Sequence, residues 1–212
     1  PDNPRYAFEA EIDEIGDIPL GNKVEVKLLD YGSGKRPPKG EILRDLGKAL
    51  SLGANYESVL LANGIRWTRN DPSGTAGSAI RQANRDYYDL YLALHSNAAP
   101  EGRYGEVQGT DVYYYPGSSR GERAAETVAE GLKKIYPRPE LVRTLPTTRL
   151  GEVRQPKAPS VFIEFAYHDN REDADWITEN VNEIAANVVQ SLAKYFGLPF
   201  LQPEPVRAGS VR

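Results

Sequence analysis

The chain of 212 residues has no cysteine, no methionine and only two histidines. Without cysteine it can form no disulfide, use no cysteine nucleophile and build no cysteine-based zinc site. With two histidines, any metal site must rely on few imidazole ligands. Nothing in the sequence explains the absence of methionine.

Long apolar runs and a strong excess of one charge are also missing. A membrane-spanning helix needs roughly 20 apolar residues, and the weakly charged stretches at 58–65 and 160–163 are far shorter. No basic start precedes an apolar core, so no signal peptide is visible. The 26 basic and 30 acidic residues are interspersed and give a net charge of −4. This balance argues against nucleic acid as the main partner.

Strand-like and helix-like segments alternate along most of the chain. Apolar and β-branched runs predict strands at 24–30, 65–69, 90–95, 111–115 and 160–166. Apolar side chains at three- and four-residue steps predict helices from Glu41 to Leu61 and at 76–87, 120–135 and 171–196. This order predicts a single α/β domain with a mixed, mostly parallel sheet and helices on both faces.

We expect one main domain with two appendages. Residues 1–22 form an acidic leader that is either an extra strand or an extended arm, and residues 23–200 form the main domain. Within that domain, 141–159 is expected to be a long connection with several prolines. Residues 201–212 are expected to be a flexible tail.

Two polar side chains stand out because they follow or interrupt apolar strands. In an open α/β sheet, ligands bind beyond the carboxyl ends of the strands. His95 ends the strand at 90–95, where it is either a hydrogen-bonding cap or a ligand. Glu164 shares a strand face with Phe162 and Ala166, where a carboxylate is costly unless it is paired, protonated or beside a metal. We interpret Glu164 as functional rather than solvent-facing, because a general base near neutral pH needs a raised pKa.

Glu41 and His168 carry weaker signals. Glu41 begins a predicted helix, where a carboxylate complements the helix dipole, so taken alone it is a structural residue. His168 lies in the turn after the Glu164 strand and is expected to be a loop or supporting residue rather than a metal ligand. Asp169 or Asn170 is expected to cap the helix that follows.

Four segments of the chain share short motifs with one family of enzymes. The segments are Leu94–Ala98 (hydrophobic-His-x-Asn-Ala), Arg81–Asn84 (Arg-x-Ala-Asn), Gly109–Tyr115 (Gly-x-x-x-Tyr-Tyr) and Pro159–Asn170, a strand that carries a Glu and is followed by Asn. They resemble the zinc-dependent N-acetylmuramoyl-L-alanine amidases. Arg171–Ile177 resembles the clostridial and phage-lysin members, and Asn63–Arg69 matches an early motif of the family less closely. The resemblance runs from Val24 to Phe196.

The resemblance implies a mixed-sheet α/β fold and one Zn²⁺ ion bound by His, Glu and His. Members of this family cleave the amide between the lactyl group of muramic acid and L-alanine in peptidoglycan. Carried over by motif, His95 and Glu41 are the expected zinc ligands and Glu164 the expected general base. Asn97 and His168 are expected to bind substrate. Zinc with three protein ligands keeps a position open for water and the scissile carbonyl, and a carboxylate relays the proton of that water to the leaving amine.

One position departs from the family pattern. The family's first zinc ligand is a His in the loop after the first strand, where this chain has Ser33, and no His precedes His95. A serine hydroxyl is a poor zinc ligand, so either Asp30 or a water held by Ser33 substitutes, or the site is lost.

Two hypotheses from different classes therefore stand. The first is a peptidoglycan amidase that uses a metal-activated water and a Glu general base. The second is a catalytically degenerate domain of the same fold that binds cell wall or regulates a partner. The first is favoured because an inactive site has no chemical need for a carboxylate in an apolar strand. Either way, the expected partner is peptidoglycan or a muropeptide outside the cytoplasm, met by a secreted, periplasmic, wall-associated or phage-encoded protein.

Overall fold

The computed structural model of the chain describes residues 10–33, 36–48, 57, 59–71 and 73–200. Contacts within the chain divide it into two compact units, one of which is Trp67–Leu198. The other contains the residues before Trp67 together with those from Pro199 onward. This division differs from the predicted boundary at residue 23. The predicted tail at 201–212 and residues 1–9 of the predicted leader lie outside the described residues.

The first unit contains a small three-stranded sheet. Its strands are β1 (Glu11–Ile12), β2 (Asn22–Asp30) and β3 (Lys39–Lys48), in the spatial order β1–β3–β2. β3 pairs parallel with β1 and antiparallel with β2. The predicted strand at 24–30 is therefore confirmed as part of β2.

The predicted helix beginning at Glu41 is wrong in its first part, because residues 39–48 form β3. The apolar spacing suited a helix, but pairing with β2 decides the local structure. A Cβ at Gly40 would lie 2.5 Å from Val26, so only glycine allows this close approach of the strands. Gly47 has φ 92°, outside the helical range. Residues 59–62 are helical, as predicted, whereas 49–56 lie outside the described part of the chain.

The second unit is built on a four-stranded mixed sheet. Its strands are β4 (Tyr91–Asn97), β5 (Thr110–Tyr114), β6 (Val142–Pro146) and β7 (Ser160–Tyr167), in the order β4–β7–β5–β6. The β4–β7 and β5–β6 pairs are parallel, and the β5–β7 pair is antiparallel. The predicted α/β fold with a mixed, mostly parallel sheet is confirmed.

Five α-helices accompany this sheet in the described part of the second unit. The single helix predicted at 171–196 is in fact two helices that meet at Asn180. Asn170 caps the first of them, because its side chain accepts hydrogen bonds from the Glu172 and Asp173 amides at 3.1 and 3.3 Å. The predicted connection at 141–159 contains β6 and a short helix, and the predicted strand at 65–69 is not formed. The helices are α1 (Ala76–Ala83), α2 (Ser119–Leu132), α3 (Gly151–Arg154), α4 (Arg171–Glu179) and α5 (Val181–Phe196).

The core of the second unit lies against both α2 and α3. α2 packs on β5, β6, β7 and α5, and α3 packs on β7. Val153 of α3 forms a buried cluster with Ala93 and Phe162, against which Tyr113 also packs. None of the helices in the described residues is both long and apolar enough to cross a membrane.

The crossing of α2 and α5 depends on the absence of a side chain at Gly131. A Cβ there would clash with Ser191 Oγ and lie 2.8 Å from Asn187 Oδ1. Because both neighbours are buried in α5, Gly131→Ala is expected to lower the free energy of unfolding by about 1–3 kcal/mol, measured by urea denaturation. Gly77→Ala in α1 is the control. The atom nearest to a Cβ at Gly77 is the flexible end of the Arg81 side chain, at 3.4 Å. The free energy of unfolding of this variant should therefore be unchanged or higher.

Candidate active site

A row of four polar residues crosses the sheet of the second unit. His95 of β4 is the register partner of Glu164 of β7. Glu164 is the register partner of Asp111 of β5, which in turn faces Arg143 of β6. Cross-strand partners share one face of a sheet, so the four side chains lie side by side. The sheet thus places two predicted residues, His95 and Glu164, on neighbouring strands.

Glu164 sits in the middle of this row and is partly buried. Its Oε2 atom is fully buried and has no hydrogen-bond partner among the described residues. Burial raises the pKa of Glu164 to about 7, and the neighbouring Asp111 carboxylate contributes to the rise. A carboxyl group in this range can accept a proton from water and return it near neutral pH.

Asp111 and Arg143 form a fork beside Glu164. Arg143 Nε and Nη2 donate to the two carboxylate oxygens of Asp111 at 2.7 and 2.9 Å. The Tyr113 hydroxyl donates to Asp111 Oδ2 at 3.1 Å, and burial together with this carboxylate raises the pKa of Tyr113 to about 12. Asp111 is only 2% exposed, so its charge is held in place by partners. Sequence reasoning missed both residues, because Asp111 begins its predicted strand rather than interrupting an apolar run as Glu164 does.

His95 is fixed by a carboxylate on α3. Its Nε2 lies 3.0 Å from Glu152 Oε2, and Tyr91 donates its hydroxyl to Glu152 Oε1 at 2.7 Å. Burial and this carboxylate raise the pKa of Tyr91. The imidazole also stacks on Phe162 with centroids 4.2 Å apart. Glu152 was missed because it lies in the segment predicted to be a connection, yet it determines the orientation of His95.

The two predicted substrate-binding residues lie together at the carboxyl ends of β4 and β7. The His168 amide donates to the Asn97 carbonyl at 2.9 Å, and His168 Nδ1 lies 3.0 Å from Ser96 Oγ. The register of β4 against β7 shifts between His95 and Asn97, an irregularity that re-aims side chains near sites. His168 is exposed. No observation tests their binding of substrate.

Glu41 and Ser33 belong to the first unit, which carries none of the residues above. Glu41 lies on a strand rather than at a helix start and accepts from Lys27 Nζ at 3.0 Å. Ser33 exchanges two backbone hydrogen bonds with Arg36, at 3.2 and 3.0 Å. Arg36 also forms an ion pair with Asp30 at 2.6 Å. Glu41 and the two predicted substitutes for the missing His, Asp30 and Ser33, therefore all interact with neighbours in the sequence or in the small sheet.

The predicted zinc ligands Glu41 and His95 lie in different units of the chain. The described residues contain no group of three or more His, Asp or Glu side chains that could hold a metal ion. In the second unit, His95 Nε2 lies 3.0 Å from the carboxylate of Glu152.

Two family models match the sequence of this chain. A family model described as N-acetylmuramoyl-L-alanine amidase matches residues 47–194, and one described as cold shock domain matches residues 1–68. No curated protein is significantly similar to the chain. Amidases of the first family act on peptidoglycan and are generally zinc-dependent.

Solved structures of amidases share the fold at low sequence identity. The amidase AmiC2 of Nostoc punctiforme is 23% identical, with a TM-score of 0.57 over 69% of this chain and 81% of its own. The catalytic domain of the endolysin CD27L, which targets Clostridia difficile, is 23% identical, with a TM-score of 0.54 over 68% of this chain and 79% of its own.

The catalytic domain of CwlV from Bacillus (Paenibacillus) polymyxa var. colistinus is 18% identical, with a TM-score of 0.58 over 71% of this chain and 84% of its own. These likenesses establish the fold, and the family model covers more than half of the sequence. The expected enzyme class, a hydrolase of cell-wall amides, agrees with both. The chain belongs to the N-acetylmuramoyl-L-alanine amidase family.

Proposed function

We propose that this chain cleaves the amide between N-acetylmuramic acid and L-alanine in peptidoglycan, with Glu164 as the group that moves the proton. One observation carries the proposal. Glu164 has a buried, unpartnered Oε2 atom and lies between His95 and Asp111 in a row across the sheet. A structural carboxylate would be expected to have its hydrogen bonds satisfied. The place of action is the cell wall, outside the cytoplasm.

The reaction needs a water molecule and one residue that both takes and gives a proton. Ionised Glu164 removes a proton from water as the water oxygen bonds to the scissile carbonyl carbon. The C–N bond then breaks, and protonated Glu164 delivers the proton to the leaving amine. Asp111 favours the protonated form of Glu164 and so promotes the first of these two transfers, the removal of a proton from water. Arg143 holds the Asp111 carboxylate in place through the fork.

His95 and the residues at the ends of β4 and β7 are proposed to bind the substrate. Glu152 and Phe162 fix the imidazole beside Glu164, where it can form a hydrogen bond to the bound amide. Asn97 and His168 lie at the carboxyl ends of β4 and β7, and we propose that they contact the glycan or the peptide. Zinc ligation by His95 and Glu41 stays a family-based expectation, since these two residues lie in different units of the chain.

The second hypothesis, a binding domain without activity, is favoured by one observation. The described residues hold no three-ligand metal group, although the family is generally zinc-dependent. Purified sacculi incubated with the chain distinguish the two. Release of free stem peptides supports the amidase. Co-sedimentation with sacculi and no released peptide supports the binding domain.

The proposed role of Glu164 sets the pH dependence of turnover. As a general base it must be ionised, and its pKa is about 7. Below this value kcat/KM is expected to fall about tenfold per pH unit as the protonated fraction grows. A soluble muramoyl-peptide assayed between pH 5 and 9 measures the acid limb, with the stability of the protein checked at each pH. An acid limb near pH 4.5, the ordinary value for Glu, would contradict the role.

A further inference from the structure

A cleft of about 400 Å³ opens on the second unit, away from the polar row. One wall is the turn between β5 and α2, and the other is the segment from α3 to the start of β7. Its polar lining consists of hydroxyl groups and cationic side chains. They are Tyr115, Ser118, Ser119, Arg120, Arg154, Lys157 and Ser160.

The lining is strongly positive in a protein whose net charge is −4. Arg120, Arg154 and Lys157 bring three positive charges, and no acidic side chain is among the described residues that line the cleft. Lys157 Nζ donates to the Asn84 carbonyl at 3.0 Å, a neutral group that leaves the ammonium charge uncompensated. Opposed cations concentrate an anion in a cleft of this size.

Two acidic residues that are close in sequence to lining residues have other partners. Glu122, in the first turn of α2, accepts from the Tyr114 hydroxyl at 2.8 Å. Glu152, on α3, is held by His95 and Tyr91. Among the described residues neither arginine of the cleft has an ion-pair partner. The guanidinium groups are therefore available to a ligand.

The walls of the cleft are fixed before any ligand arrives. The Lys157 amide donates to Asn84 Oδ1 at 2.7 Å, and Asn84 Nδ2 donates to the Gln155 carbonyl at 3.0 Å. Ser160 Oγ donates to the Val153 carbonyl at 2.6 Å, which joins β7 to α3. Such prior fixing lowers the entropy that binding must overcome.

The turn also carries a Gly-x-Ser-x-Gly sequence, Gly117–Gly121, between a strand and a helix. In hydrolases this arrangement places a nucleophilic serine on a strained backbone beside a histidine. Here no residue other than glycine has positive φ in the described part of the chain. Both histidines lie elsewhere, beside Glu152 and Ser96. The turn is therefore suited to binding rather than to nucleophilic attack.

We propose that this cleft binds an anionic group, a carboxylate or a phosphate, carried by the cell-wall polymer. The proposal rests on the function proposed above and extends it to a substrate subsite. Ser160, in the cleft, precedes Glu164 by four residues on β7, which is about 13 Å at ~3.3 Å per strand residue. Phe162 and Val153 fill the direct path between the two positions, because they belong to the buried cluster. A polymer held at Glu164 therefore has to reach the cleft over the surface, with its anionic group several residues beyond the scissile amide.

Binding is tested on the full chain without turnover. Amide chemical shifts are followed by NMR in three separate titrations. The ligands are inorganic phosphate, a tetrapeptide with a free terminal carboxylate, and the same tetrapeptide with a terminal amide. Saturable shifts at Ser119, Arg120 and Lys157 are expected. The Arg120→Gln/Arg154→Gln double variant should weaken binding at least tenfold, and Lys134→Gln, which removes an exposed charge just beyond α2, should leave it unchanged.

The choice of ligands distinguishes a phosphate group from a stem-peptide carboxylate, and it tests the cleft proposal separately from the amidase proposal. Saturation by phosphate alone assigns a phosphate-bearing polymer, and loss of binding on amidation of the peptide assigns the stem carboxylate. Because no hydrolysis is measured, failure of the amidase proposal leaves these results intact. In a turnover assay the double variant should raise KM at least fivefold with kcat unchanged. Absence of saturable shifts, or equal weakening by Lys134→Gln, would overturn the cleft proposal.

Discussion

Glu164→Gln is expected to reduce the release of stem peptide by about 10²–10⁴-fold, the usual contribution of a general acid–base group. Glutamine has nearly the same shape but cannot accept and return a proton at neutral pH. The measurement is kcat/KM on a muramoyl-peptide at pH 8, where the wild-type carboxyl is ionised because its pKa is about 7. Binding of sacculi should be retained.

The same variant is expected to be more stable than the wild type at high pH. The pKa of Glu164 is raised from 4.5 to about 7 in the folded chain, so ionisation is disfavoured by folding. Below pH 4.5 the buried carboxyl group therefore does not lower the free energy of unfolding of the wild type. This free energy falls as the pH rises from 4.5 through 7, and above pH 7 the destabilisation is complete. Discounted for the partial exposure of the side chain, the gain for Gln above pH 7 is about 1–2 kcal/mol. Urea denaturation at pH 5 and pH 8 measures this difference.

Glu179→Gln provides the matched control, since Glu179 is exposed on α4 and lies outside the row. It should change neither turnover nor stability by a measurable amount. Turnover of Glu164→Gln within tenfold of the wild type would remove Glu164 from the mechanism. Loss of turnover together with lower stability at both pH values would instead mean a structural role.

Asp173→Ala is expected to have the largest effect on stability, a loss of about 3–5 kcal/mol. The Asp173 side chain is 2% exposed and has no cationic partner among the described residues. It accepts from the Tyr136 hydroxyl at 2.5 Å and from the Tyr167 and Gly109 amides at 2.9 and 3.1 Å. Removing it leaves three buried donors unsatisfied where the end of β7 meets the start of β5.

Asp175→Ala in the same helix is the control for this loss. Its side chain is 61% exposed and its oxygen lies 3.8 Å from Arg171, so the expected change is below about 0.5 kcal/mol. Guanidinium denaturation of both variants at pH 7 gives the comparison. A loss below about 1 kcal/mol for Asp173→Ala would show that water replaces the carboxylate without cost.

The sequence was most informative where local pattern and tertiary structure agree. β7 is a continuous apolar run, so its place in the centre of the sheet and the anomaly of Glu164 were both predictable. His95 was singled out because polar residues follow an apolar strand. Asn170 was expected to cap a helix, and its side chain does so.

The remaining features depend on contacts between distant segments. Residues 39–48 have apolar spacing that suits a helix, and only pairing with β2 reveals the strand. Glu152 acquires its role from His95, which is 57 residues away in sequence. The fork of Asp111 and Arg143 likewise follows from the register of β5 and β6. Local patterns contain none of these relations, so the site could be located from the sequence but its partners could not.

The most direct test is to digest purified peptidoglycan with the full chain in water enriched in ¹⁸O and to identify the products by mass spectrometry. Cleavage at the proposed bond predicts stem peptides with a free L-alanine amine and one ¹⁸O in the lactyl carboxylate of muramic acid, and Glu164→Gln should yield neither. Intact peptidoglycan, or cleavage at another bond, would contradict the assignment of this site as an N-acetylmuramoyl-L-alanine amidase centre.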